Sequence, residues 1–202
     1  NSVYKTPETE MDNALFFVKF MSKMKYDAIC VGDDELSWGR ATTSYISRNV
    51  DFPFLSANVV LNNDNQGAIF MPYIIKEIKG VKIGIIGITN QSAFKDNLQS
   101  NIADYSMKPT FQTLRQYVKL LREESKVDMV ILLSRYGTIA SRKNIDRQST
   151  YIDNIIIAEE IPGIDLIIGK GIESDEGSLD SYISPNTKTI IAHTKTKLKN
   201  IG

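Results

Sequence analysis

The octapeptide GDDELSWG, Gly32 to Gly39, puts three carboxylates in a row, Asp33, Asp34 and Glu35, directly behind the apolar run AICV. Acids at the end of a buried strand can do three kinds of work. They can solvate a turn and cap the helix that follows, because a first helical turn leaves its N–H groups free. They can form charge-assisted hydrogen bonds with a cation, for which Arg135 in LLSRYG and Lys170 in IIGKG are the candidates. Or they can hold a hard divalent cation, magnesium, calcium or manganese, through oxygen ligands alone. Glu173, Asp175 and Glu176 in GIESDEG form another acidic group. It lacks the regular alternation of an EF-hand loop, so a charged surface loop is expected there.

Other chemistry is limited by counts. His193 in IIAHT is the single histidine and Cys30 in DAICVG the single cysteine. An internal disulfide is excluded, and Cys30 reads as a small buried apolar residue. GVKIGIIG, residues 80–87, lacks the glycine spacing of a phosphate loop and reads as a strand. Trp38 is expected in the core. Asn90-Gln91-Ser92 fits the short glycosylation pattern.

The elements that must position these groups follow from periodicity. MDNALFFVKFMSKMK, 11–25, predicts an amphipathic helix, and DAICVG a short strand buried on both faces. RATTSYISRN predicts a second helix and FPFLSANVVL a strand. YIIKEIKGVKIGIIGITN predicts a hairpin turning at Lys79-Gly80. Helices over about 109–126 and 145–160 precede the strands VDMVILLS and IPGIDLIIGKG, and TKTIIAHTK is a late strand. Residues 62–68 and 171–188 are rich in turn formers and read as solvated loops.

Strands alternating with helices give an α/β class with helices covering a mixed sheet. The 202 residues fit a single domain. The 42% apolar and 24% charged fractions are those of a globular protein. Lys plus Arg equals Asp plus Glu at 24 each, so no net field draws nucleic acid or anionic lipid. No apolar run is long enough to cross a bilayer. No charged leader with a long apolar core opens the chain, so any signal peptide is expected to have been removed or never present. In open α/β sheets ligands gather at the carboxyl ends of strands. Convergence of those ends predicts that Asp33 and Asp34 face Arg135 and Lys170.

The segments YDAICVGDDELSWG, FPFLSANVV, YIIKEIKGVKIGIIGITN, VDMVILLSRYG, IPGIDLIIGKGIES and KTIIAHTK carry a resemblance in their order. Together they resemble the 5′-nucleotidase branch of the calcineurin-like metallophosphatases. The resemblance runs from about residue 11 to the C-terminus. It implies a sandwich of mixed β-sheets flanked by α-helices, with two divalent metals at the strand ends activating a water for attack on a phosphoester. It implies a single metallophosphatase-like domain over 1–202, without the family's first strands and without its C-terminal nucleotide-binding domain. It also implies a periplasmic, secreted or cell-surface location and a phosphorylated small molecule or nucleotide as partner.

Carried over residue by residue, the family's GNHE motif puts its metal-binding Asn on Asp33 and its catalytic His on Asp34, with Glu35 retained. The His of LSHLG falls on Arg135. The two histidines of GGHSHT fall on Gly171 and Glu173. His193 replaces none of them. Arginine is a permanent cation with no lone pair to donate, so Arg135 repels a metal and satisfies carboxylates itself. Asp33 and Glu173 are therefore the metal-ligand candidates and Asp34 the candidate at the catalytic position. Arg135, Lys170 and Asn58 are the candidates for binding substrate or anion, Asn58 being also suited to satisfying backbone groups near the site. The expected function is a domain with a degenerate metal centre, no cofactor and a binding role. The alternatives are a phosphoester hydrolase with a remodelled, oxygen-rich metal site, and a scaffold that binds protein through the 171–188 loops.

Overall fold

The structure is a computed structural model, and it describes residues 7–62, 69–138, 152–170 and 181–194. Its centre is a six-stranded mixed sheet. β4 (Tyr73–Ile78) and β5 (Val81–Ile88) form the expected hairpin, with Tyr73 opposite Ile86 and Ile78 opposite Val81. Lys79 and Gly80 between them both have positive φ, 52° and 83°, the signature of a tight turn whose twist matches its strands. β7 (Met129–Gly137), β8 (Leu166–Lys170) and β10 (Ile190–Thr194) continue the sheet in parallel, and β9 (Ser181–Ile183) closes it antiparallel to β10. The strand order is β4-β5-β7-β8-β10-β9.

One face of this sheet lies under α6 (Thr110–Lys119), its π-helical extension Leu120–Glu124, and α7 (Asn154–Glu160). Leu114, Val118 and Leu121 repeat at helical spacing and meet Ile86, Val130, Leu132 and Ile167 in one core cluster. Asp153 starts α7 by accepting a hydrogen bond from the Ile156 N–H at 2.8 Å.

The other layer is built from the N-terminal third. α1 (Pro7–Lys23) leads into β1 (Ile29–Cys30), which pairs in parallel with β2 (Phe54–Leu55). The helix starts four residues before the position its apolar pattern suggests, because proline is favoured at a first helical position. α2 (Asp33–Ser37) and α3 (Gly39–Arg48) follow β1. β3 (Val59–Leu61) pairs antiparallel with β6 (Tyr105–Met107), and the short helices α4 (Ser92–Lys95) and α5 (Gln99–Ile102) lie between β5 and β6. Val18, Val31, Leu36, Ile46, Phe52 and Phe54 form this layer's own apolar cluster. Trp38, expected in the core, is half-buried and packs at its edge beside Phe54, ring centroids 6.5 Å apart. The layers approach closely where β5 passes β2. A Cβ on Gly87 would sit 2.5 Å from the Leu55 carbonyl oxygen, so only glycine fits.

Two expectations are corrected. FPFLSANVVL is not one strand: the chain leaves β2 at Ser56 and re-enters a different sheet as β3, because Ser56 and Asn58 turn inward to bond Thr89. Residues 181–183, inside the expected 171–188 loop, form the edge strand β9. Within 145–160 the described helix is α7. Glu173, Asp175 and Glu176 lie outside the described residues, as do 63–68. His193 pairs through its backbone with Gly169.

Candidate functional site

The acidic triplet opens α2. Gly32, extended at φ −128°, caps the helix, and its N–H donates to Glu35 Oε2 at 2.7 Å. Glu35 thus closes the first turn back on its own entry, half of a capping box. Asn97 Nδ2 donates to the Asp33 carbonyl at 3.0 Å and Asn101 Nδ2 to the Ser37 carbonyl at 2.7 Å, so side chains from the α4–α5 region hold the α2 backbone.

Arg135 reaches the same point from β7. The β7–β8 register shifts between Leu133 and Gly137, a bulge-like irregularity of the kind that re-aims a side chain. Ser134 Oγ donates to Asn154 Oδ1 at 2.6 Å, and Asn154 Nδ2 donates to the Tyr136 carbonyl at 2.7 Å, which pins the strand on both sides of Arg135. The guanidinium lies over Gly32: a Cβ there would fall 2.2 Å from its Nε and Nη2. Nη2 donates to Asp33 Oδ1 at 3.0 Å and stands 3.9 Å from Asp34 Oδ2. The side chains of Arg135, Asp33 and Asp34 are 33%, 60% and 81% exposed, so water screens the pairing and each contact contributes no more than about 1 kcal/mol.

Burial pushes the Glu35 carboxyl above its ordinary value, against the Gly32 N–H and Arg135, both of which favour the anion. Burial also works against the charge of Arg135, but Glu35 and then Asp33 outweigh it and hold the guanidinium firmly protonated. Cys30, beneath the same cation, is pushed up to about 12, chiefly by burial, and its Sγ–H donates to the Ile88 carbonyl at 3.4 Å. A thiol held protonated in this way is a poor nucleophile.

Because the folded state holds the Glu35 proton more tightly than the unfolded chain does, Glu35 contributes stability at low pH. That contribution is lost as pH rises through its raised pKa. Glu35→Gln keeps an acceptor for the Gly32 N–H. It is expected to flatten the fall in unfolding free energy on the alkaline side of the ordinary glutamate range, as read by urea titrations across mildly acidic pH.

Gly32→Ala has a different expected result. The atoms in the way belong to the far end of a flexible side chain, so Arg135 moves rather than the backbone. Unfolding free energy should fall by only about 1 kcal/mol, the low end of the usual overpacking range. The Arg135–Asp33 contact should be lost, which chemical-shift changes at Asp33 would register.

Asn58 closes the floor of the site. It is 0% exposed, its Nδ2 donates to the Thr89 carbonyl at 2.8 Å, and its Oδ1 accepts from the Thr89 N–H at 2.9 Å. Thr89 Oγ1 donates to the Val31 carbonyl at 2.8 Å. Asn58 therefore ties the ends of β1, β2 and β5 together, and its amide lies beneath the surface of the site. Lys170 ends β8 at the same side of the sheet, and its side chain lies outside the described residues, as Glu173 does entirely. Among the described residues, no three His, Cys, Asp or Glu are grouped to hold a metal ion.

The braces Ser134, Asn154, Asn97 and Asn101 are not singled out by the sequence. The one signal pointing to any of them is a polar Asn154 opening the otherwise apolar run NIIIA.

No model of a known protein family matches the chain. The fold is that of the calcineurin-like metallophosphatases. The 5′-nucleotidase precursor of Thermus thermophilus matches with a TM-score of 0.69 at 20% identity, over 90% of this chain and 35% of that one. The calcineurin-like phosphoesterase YfkN of Bacillus subtilis matches with a TM-score of 0.61 at 23% identity, over 82% and 54%. Within that fold the sequence relatives lie on the 5′-nucleotidase branch. Protein UshA of Yersinia enterocolitica is 26% identical over 165 residues, which is 81% of this chain and 29% of the relative. The chain spans less than a third of the length of the first curated relatives it matches.

Proposed function

We propose that this chain is a 5′-nucleotidase-type metallophosphatase domain in which an arginine–carboxylate cluster has replaced the metal centre, leaving it to bind a phosphorylated small molecule or nucleotide without hydrolysing it. The observation that carries the reading is the Arg135 guanidinium seated over Gly32, 3.0 Å from Asp33. Among the described residues the donor set does not fit a pair of divalent metals. A fixed cation stands where the resemblance asks for an imidazole, and the carboxylate at the Asp33 position is engaged with it. On this reading the guanidinium takes the place of a metal that would supply the attacking hydroxide. The nucleotide-related relatives support the ligand class, and the family resemblance supports a periplasmic, secreted or surface location. No helix among the described residues is long and apolar enough to cross a membrane.

The test is phosphate release from AMP and p-nitrophenyl phosphate with manganese, magnesium, calcium or zinc, alongside metal analysis of the purified protein. The expected result is release at background with less than one metal per chain. Turnover with two tightly held metals overturns the reading. Turnover that needs added magnesium or calcium and collapses in Asp33→Ala establishes the oxygen-rich hydrolase instead.

A phosphate reaching Arg135 competes with Asp33 for the same guanidinium. Asp33→Asn is therefore expected to tighten AMP binding roughly three- to fivefold, in keeping with the contribution of at most about 1 kcal/mol of the screened contact it removes. Isothermal titration reads this directly, and unchanged or weaker binding would place the ligand elsewhere.

A further inference from the structure

The two flanks of α3 are used differently. Thr43 and Ile46 turn into the core and are fully buried. Arg40, Ser44, Ser47 and Arg48 recur at i, i+4, i+7 and i+8, which places them along one side of the helix. That side lines a cavity of about 460 Å³, a size suited to a small molecule. The facing wall is apolar. The chain turns through Val50 and Asp51 into β2, and Phe52 and Phe54 stack along the cavity floor, ring centroids 6.1 Å and planes 14° apart. Ile69 and Met71 complete this wall, which the Met71 N–H ties to the Phe54 carbonyl at 2.9 Å.

This cavity is separate from the Arg135 cluster. It lies where the chain enters β2, whereas Asp33 and Arg135 meet where the chain has left β1. Because β1 and β2 are parallel, these are opposite ends of one small sheet. Arg40 stands 3.7 Å from Asp104, a long and partly solvated pairing. Among the described residues Arg48 has no ion pair and Ser44 no side-chain hydrogen bond, although the two lie one turn apart on the cavity wall. A cation in a last helical turn complements the helix dipole, which accounts for a charge at Arg48 but not for a polar wall set across an aromatic one. Asp51 is the one carboxylate in the lining among the described residues.

We propose that this cavity binds a small aromatic anion, a ring body carrying a carboxylate or a phosphate, with its charged end on Arg48 and Ser44 and its rings against Phe52 and Phe54. The planar fork of arginine matches either group through paired N–H donors, and the Ser44 hydroxyl adds a third donor. The apolar floor supplies the burial that favours binding, and the polar wall fixes which end of the ligand faces α3. Met71, 47% exposed and carrying a flexible thioether, adapts the rim to rings of different width. Asp51 works against the anion and limits its affinity. None of this depends on what the Arg135 cluster binds or hydrolyses.

The test titrates 2-naphthoate, 2-naphthyl phosphate and neutral 2-naphthol into this 202-residue chain while amide chemical shifts are followed. Expected are saturable shifts at residues 44–54 and 69–71, with at least one anion binding about fivefold tighter than naphthol, as one screened charge contact allows. The tighter of the two anions assigns the site to carboxylates or to phosphates. Arg48→Gln should weaken that anion about fivefold and leave naphthol unchanged. Asp51→Asn should tighten it by roughly two- to fivefold. Both residues are exposed, so neither substitution threatens the fold. The same shifts should persist in Arg135→Gln, which separates failure of this site from failure of the metal-free reading. Naphthol binding as tightly as both anions overturns the inference, as does unchanged affinity in Arg48→Gln. Shifts confined to residues 28–35 overturn it in favour of the Arg135 cluster. Weaker binding in Asp51→Asn also overturns it and assigns the cavity to a ligand that carries a cation.

Discussion

Arg135→Glu is expected to lower the unfolding free energy by about 2–3 kcal/mol near neutral pH, short of the cost of breaking a fully buried pair. Asp33 and Asp34 are largely solvated, which sets that ceiling. Glu35 provides most of the effect, because it is the more enclosed carboxylate and Arg135 is among the groups holding its charge in place. With glutamate at 135, four carboxylates crowd the entry to α2, and the Gly32 N–H that donates to Glu35 no longer has the guanidinium beside it. The deficit should shrink as pH falls and the acids take up protons, so urea unfolding at two pH values separates this repulsion from lost packing. Arg135→Gln removes the charge without adding another and should lose about half as much. AMP binding should vanish in Arg135→Glu. A variant as stable as the parent at both pH values would show that the cluster does not hold the site.

Asn58→Ala is expected to destabilise the fold by about 3–5 kcal/mol, because orphaning each buried polar group costs about 1–3 kcal/mol. Asn58 serves both the N–H and the carbonyl of Thr89, and its Oδ1 also accepts from Ser56 Oγ at 3.2 Å. Thr89 is 0% and Ser56 2% exposed, so bulk water does not take over the bonds. For a chain of this length the loss corresponds to roughly 8–15 °C in Tm. Calorimetry checks it. A shift of a degree or two would mean that β1, β2 and β5 are held by packing alone.

Local chemistry explains which elements can be read from the sequence. The hairpin is clear because Lys79-Gly80 announces its turn and both arms are rich in β-branched residues. α6 is clear because its apolar positions recur at helical spacing. β9 escapes because an edge strand of three residues leaves almost no periodic signal among turn formers. The division of 52–61 between two sheets escapes because its cause is tertiary: nothing in SAN indicates that Thr89, far along the chain, will claim Asn58. For the site, strand-end convergence anticipates the meeting of Arg135 with Asp33. The capping of α2 by Glu35 is one of the readings the acidic run allows, whereas the braces on β7 are not anticipated, since they accompany a register shift that only pairing with β8 produces.

The approach of Gly87 to Leu55 limits where this molecule can change. No methyl group fits between the layers there, so their separation is set by main chain and is insensitive to side-chain drift around it. Such a jaw is stiff on one side and open on the other. Residues at its mouth can be exchanged, imidazole for guanidinium included, without disturbing the frame that presents them. A change of side chain at the rim is therefore compatible with an unchanged frame behind it.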